Sequence, residues 1–276
     1  RDVFWRAGNK PEGIDEEYAR EVRVAQAMGH APAGQFAQAA EDFDVETLHQ
    51  WMAQASKAGV TDFGEWKDIR IGRADEFANA GEIVAPIELN VRVRRHDGTT
   101  ETQRVSIYGT IRGASREAGA AINCVLHKSV KTKDFLPPFL NAILLAATGA
   151  RLPETFRAIV IGTQSEKLTE WTREFRPMDQ DAAIAYLTTV VSDLLSTGND
   201  YFLPIEAVEE VAKELRKPED SRDLIEAVER ILLNDFHKSS SEYGPVRNAT
   251  SFDPPSEIEI EKIVGRQFKP IIGMFK

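Results

Sequence analysis

A single cysteine, Cys124, stands in the 276-residue chain, so no internal disulfide can form and a reduced, cytoplasmic setting is expected. No run of about 18 apolar residues occurs either. The nearest, Phe135 to Thr148, is too short to cross a bilayer, and no membrane partner is expected. A Gly-x-x-x-x-Gly-Lys-Ser/Thr phosphate loop is missing, which removes ATP binding by that route. Zinc finds no ligand spacing, because beside the one cysteine the five histidines (His30, His49, His96, His127 and His237) are scattered. A Cys124–His127 nucleophile pair would put the thiol in an apolar strand, where a buried, inert thiol is the favoured reading. The chain shows no internal repeat. It opens on Arg1 without a basic-then-apolar leader, which reads as a piece of a longer polypeptide or a processed product.

Positive charge is also in deficit. Lys and Arg number 34 against 44 Asp and Glu, a net charge of −10. A free-standing nucleic-acid binder is usually basic, so any DNA contact has to come from a local patch or through partners. Much of the acidity sits in Glu- and Lys-bearing helices, where solvated faces account for it. What is present is the mix of an ordinary globular protein: 42% hydrophobic and 28% charged residues, enough for one large domain or a domain with a helical lobe.

Along the chain, apolar spacing predicts helices over Glu16 to Met28 and from Gln35 through Ala55, and nothing firm between Gly59 and Ala80. Ala120 to Leu126 reads as a buried strand, Phe135 to Thr148 as an apolar helix ended by Gly149, and Phe156 to Ile161 and Trp171 to Phe175 as short strands. Asp179 heads an amphipathic helix with Ala183, Ile184, Leu187, Val190, Val191, Leu194 and Leu195 at helical spacing. Helices over Ile205 to Arg216 and Ser221 to Leu233, a loop over His237 to Pro255 and a helix from Pro255 to Phe268 complete the reading.

The clearest local signal is a hairpin. Ile87, Leu89, Val91 and Val93 alternate with Glu88, Asn90, Arg92 and Arg94, and after His96-Asp97-Gly98 a second run alternates Val105, Ile107, Gly109 and Ile111 with Arg104, Ser106, Thr110 and Arg112. A two-residue Asp97-Gly98 turn would set apolar against polar positions. A three-residue loop with Gly98 left-handed restores the match, pairing Val91 with Gln103 and Leu89 with Val105. That register puts Arg92, Arg94, Arg104 and Arg112 on one face, with Lys128, Lys131 and Lys133 close by in sequence. These seven residues are the candidates for contact with DNA or a partner. The plain alternative is that Glu88 and Glu101 on the same face neutralise them as ordinary surface pairs.

The order helix, hairpin, strand, helix invites comparison with the PD-(D/E)XK nuclease core. That chemistry needs an Asp and an Asp/Glu on neighbouring strands to hold Mg²⁺, with a Lys to position the attacking water. Active members of that superfamily carry Gly-x-Ile-Asp on the second strand and Asp-Tyr-Lys on the third. Here Gly109-Thr110-Ile111-Arg112 and Leu126-His127-Lys128 stand in those places, so Arg112 and Leu126 replace the carboxylates. An arginine repels a divalent cation, and no Mg²⁺, Mn²⁺ or Zn²⁺ is expected near Arg112 and Lys128.

Several segments, in order, carry a family resemblance. They are Ala27 to Phe36 (with Met28-Gly29-His30-Ala31-Pro32-Ala33-Gly34 at its centre), Ile107-Tyr108-Gly109-Thr110-Ile111 and the apolar helix Phe139 to Gly149. They continue with Asp181 to Leu187, Tyr201-Phe202-Leu203-Pro204-Ile205 and the closing Gln267-Phe268-Lys269-Pro270-Ile271-Ile272. Together they resemble the C-terminal part of RecC, the gamma subunit of exodeoxyribonuclease V, whose last domain is a nuclease-like fold without nuclease activity. The third strand departs from the family's Arg-rich stretch, with Val125-Leu126-His127-Lys128 followed by Lys131 and Lys133.

The resemblance implies an α/β fold with a PD-(D/E)XK nuclease-like mixed sheet flanked by helices and an added helical C-terminal region. One domain would span 1–276, with a mainly helical lead-in over 1–80, a sheet core over 81–200 and a helical part over 201–276. It also implies a non-catalytic role in double-strand-break repair, docking on RecB-like and RecD-like subunits and helping to separate the strands of a forked or duplex DNA end. No cofactor is expected in this domain; Mg²⁺ and ATP would belong to the partner subunits. Two rivals are an active nuclease whose ligands have moved, for example to Glu88 or Glu101, and a protein-interaction scaffold that never touches DNA.

Overall fold

A computed structural model of the chain describes residues 3–4, 13–31, 34–60, 66, 68–73, 82–126, 130–162, 171–196, 205–215, 217–218, 221–237 and 256–272. The chain is mixed α/β and divides into two compact units, one of residues 1–87 and 107–180, the other of 88–106 and 181–276. Contacts therefore group the hairpin with the C-terminal helices. Among the described residues no helix is long and apolar enough to cross a membrane.

The first unit opens with helices α1 (Ile14–Ala27) and α2 (Gln35–Lys57). Strand β1 (Ile69–Ile71), in the stretch where the sequence offered no firm signal, then pairs in parallel with β2 (Glu82–Val84) just beyond it. After the hairpin strands β3 (Ile87–Arg94) and β4 (Thr100–Ile107), strand β5 (Gly109–Ile111) pairs antiparallel with β1, setting Ile111 opposite Ile69. Strands β6 (Ala114–Ser115), β7 (Ala120–Cys124), β8 (Phe156–Ile161) and β9 (Thr172–Phe175) form a four-stranded sheet in that order. Between β7 and β8 the chain makes a 3₁₀ turn (Thr132–Phe135) and helix α3 (Leu136–Ala147), which is the crossover that two parallel neighbours require.

Alternation decides the two faces of this sheet. Ala120, Ile122, Cys124, Ile159 and Ile161 pack with Leu48, Trp51, Met52 and Ala55 of α2 in one core cluster. Trp51 lies edge-on to Phe4, ring centroids 5.9 Å apart, and its indole N–H donates to the Val125 carbonyl at 3.2 Å. Buried Gln54 accepts from the Gly162 amide at 3.1 Å, which satisfies a polar group where an unmet one would cost about 1–3 kcal/mol. Below α3, Phe175 contacts Phe139 and Phe156, with centroids 5.9 and 5.6 Å apart.

Two details correct the sequence reading. The run Val105 to Ile111 is not one strand: β4 ends at Ile107, exposed Tyr108 intervenes, and β5 pairs with β1 in a separate sheet. The buried strand also stops at Cys124, and Leu126 is 64% exposed. Instead of one mixed sheet, the described strands fall into three.

The second unit holds the hairpin and helices α4 (Gln180–Leu195), α5 (Ile205–Glu214), α6 (Leu224–His237) and α7 (Glu257–Ile263), with a π turn (Val264–Phe268) leading into α8 (Lys269–Ile272). Helices α5 and α6 pack against each other and bury Val208, Val211, Leu224 and Val228; Arg230 of α6 pairs with Glu210 of α5 at 2.9 Å. Ile260 and Val264 are buried, as the apolar spacing of the last helix requires. In α4, Ala183 and Leu187 are buried, whereas Leu194 and Leu195 face solvent.

Candidate nucleic-acid interface

Strand β3 alternates buried and exposed residues along its whole length, with Leu89 and Val91 under 2% exposed and Arg92 and Arg94 on the outer face. The turn fixes what lies opposite. Arg95 N–H donates to the Thr99 carbonyl at 2.9 Å, Gly98 N–H to the Arg95 carbonyl at 3.0 Å, and Gly98 sits at φ 82°. This is the three-residue loop with a left-handed glycine, so Asn90 faces Arg104 and Glu88 faces Ser106. Side chains agree: Glu88 accepts from Ser106 Oγ and from Arg104 Nε, each at 2.8 Å.

The outer face of the hairpin thus brings together Arg92, Arg94 and Arg104 with Glu88 as its one carboxylate, beside the neutral Asn90, Thr100, Thr102 and Ser106. Glu101 is not on it. Its position opposite Val93 places it on the other face, where it binds Arg95 and Gln103. Those bonds, Arg95 first, hold its carboxyl below the usual glutamate range. At the tip, the Thr99 hydroxyl and amide do the same for Asp97. The Arg104–Glu88 pair is exposed and contributes at most about 1 kcal/mol, leaving the guanidinium open to exchange partners.

The open edge of β3 is closed by α4. Ser192 Oγ donates to the Arg92 carbonyl, and the Arg94 N–H donates to Ser196 Oγ at 3.0 Å. A bare edge is a template for pairing with other strands, and two serines four residues apart, one in α4 and one just past its end at Leu195, cap it here. These serines were invisible as hairpin partners in the sequence, about a hundred residues away; only their helical spacing was legible.

Of the other expected contact residues, Arg112, Lys131 and Lys133 belong to the other unit. Arg112 lies beyond β5 in the other unit, where its Nε is 3.7 Å from Asp68 Oδ2 and its carbonyl accepts from Asn141 of α3 at 3.0 Å. The reason is the break at Tyr108, which ends the shared strand before Arg112. Lys131 and Lys133 also belong to that unit: Lys131 is exposed with its amide bonded to Asp134 Oδ2 at 2.7 Å, and Lys133 is half-buried in the 3₁₀ turn. Lys128 lies outside the described residues. No protein-family model and no curated protein matches the chain.

The residues in the two nuclease slots do not fit a divalent cation. Arg112 brings positive charge already balanced by Asp68, and the exposed Leu126 side chain has no donor atom. Glu88 and Glu101, the alternative ligands, sit on opposite faces of the hairpin and are each held by an arginine.

Proposed function

We propose that this chain is a non-catalytic, RecC-like domain of a helicase–nuclease assembly, and that the outer face of its hairpin lies along a DNA strand at a forked or broken end. One observation carries the reading: Arg92, Arg94 and Arg104 share an exposed face with one carboxylate in a chain of net charge −10. Like charges clustered on one sheet face cost stability unless something offsets them, and phosphate oxygens would do so. The finer fold assignment, a PD-(D/E)XK-like core without its carboxylates, draws support from the βαβ unit of β7, α3 and β8 with helices on both faces. Mg²⁺ and ATP chemistry would belong to RecB-like and RecD-like partners.

The test is Arg92→Glu combined with Arg104→Glu, assembled with those partner subunits. Forked-DNA binding is expected to weaken, and the slope of log K against log salt to fall by about 2, one for each lost phosphate contact. If unwinding, assembly and salt dependence all match the wild type, the face is only a solvated surface and the proposal fails. Mn²⁺-dependent cleavage by the isolated chain would instead favour an active nuclease.

A further inference from the structure

Helix α2 buries one stripe over its C-terminal half and leaves the same stripe bare over its N-terminal half. Thr47, Trp51 and Gln54 follow one another at helical spacing and are 5%, 4% and 6% exposed. Traced back along the helix, the stripe continues through Phe43, Ala40 and Phe36 at the same three- and four-residue steps. Yet Phe43 is 58% and Phe36 81% exposed. From Ala19 to Glu46 no described residue of α1, α2 or their connection is buried; Val24 of α1 and Met28, which caps its end, are among the exposed ones. Among the described residues, therefore, the core stripe of α2 runs past the end of the core that covers it. Two phenylalanines seven residues apart on one face are the anchors with which a helix engages an apolar partner.

The charge around the stripe selects that partner. From Gln35 to Ser56 the helix carries Glu41, Asp42, Asp44 and Glu46 and neither lysine nor arginine. At about 100° per residue, Glu46 flanks the stripe on one side and Asp44 and Glu41 on the other. Nucleic acid and anionic lipid are repelled by such a rim. A second copy of the chain would bring the same carboxylates against these, and like charges at the flanks of a helical seam select against pairing. We propose that the N-terminal half of α2 is a docking surface for an amphipathic helix of a partner protein whose apolar stripe is flanked by lysines or arginines. Phe36 and Phe43 are its anchors. This surface is independent of the arginine face of the hairpin.

Two synthetic helical peptides with the same leucine seam, one flanked by lysines and one by glutamates, are titrated calorimetrically into the full chain. The lysine peptide is expected to bind and the glutamate peptide not. Phe36→Ser with Phe43→Ser should weaken binding about tenfold or more without moving the melting curve, because both rings are exposed. Glu41→Lys with Glu46→Lys should reverse the preference between peptides, which keeps the test decisive if the serine variant misfolds. Equal binding of the lysine peptide to wild type and serine variant reduces the effect to net charge and overturns the proposal. So does failure of both peptides to bind, or self-association that the serine variant abolishes, since a second copy would then cover the stripe.

Discussion

Gly119 shows how much one residue carries. It turns the chain between β6 and β7 at φ 56°, its amide donating to the Arg116 carbonyl at 3.2 Å and its carbonyl accepting from Arg157 at 2.8 Å. A Cβ there would lie 2.3 Å from Cγ of Pro153, so an alanine meets both backbone strain and the proline ring. Gly98, at φ 82° in the hairpin loop, has nothing within 4 Å of such a Cβ. Gly98→Ala should therefore lose only the left-handed backbone term, about 1 kcal/mol. Gly119→Ala should lose about 2 kcal/mol or more, since the clash adds to it. Urea melts of the two variants check the difference, and equal losses would mean that Pro153 moves aside freely.

Among the elements, α7 carries a cap with a built-in pH dependence. Ser256 N–H and Oγ donate to Glu259 Oε2 at 2.9 and 2.8 Å, and Glu259 N–H returns to Ser256 Oγ at 3.4 Å. The Ser256 amide, and after it the hydroxyl, hold the Glu259 carboxyl below the usual glutamate range. A folded-state pKa that is depressed contributes stability above the unfolded value and loses it as pH falls through the folded value. Protection of the Ser256 amide from hydrogen exchange should thus decline in acid, below the ordinary glutamate range, and Glu259→Gln should flatten that dependence. A wild-type profile that matches the glutamine variant would remove the cap from the account. Ser256-x-x-Glu259 is the sequence form of such a cap, a signal not used in placing the helix start at Pro255, which lies outside the described residues.

At the scale of the whole molecule, the second unit is assembled from residues far apart in the chain, and its C-terminal segment is tied to α4. Buried Asp193 accepts from Gln267 Nε2 and pairs with Arg266 Nε, each at 2.9 Å. Tyr186, its phenol pushed up to about 12 by burial, donates to the Gln267 carbonyl at 2.8 Å. Ending the chain at Gly265 removes Gln267 and Arg266 from the buried Asp193 carboxylate. A stability loss of about 1–3 kcal/mol is expected, read as a lower melting temperature. An unchanged melting curve would show that the segment beyond Gly265 contributes nothing to the unit.

What the sequence determined by itself was local: the helices over α1, α2, α3 and α4, the alternation of β3, and the three-residue loop that only Gly98 permits without strain. Each follows from a period or a turn residue that acts over a few positions. Which strand neighbours which was a tertiary decision. Ile107, Gly109 and Ile111 keep the same alternation through Tyr108, yet only Ile111 is buried, and the pattern said nothing of the change from the hairpin to β1. The arginine face suffered the same limit only in part: Arg92, Arg94 and Arg104 followed from parity, and the same parity places Glu101 on the opposite face, whereas Arg112 depended on where the strand ends. Side-chain periodicity is a property of one chain segment. Pairing is set by the competition of many segments to bury their faces together, and beyond Tyr108 β5 pairs with β1 instead of continuing the hairpin.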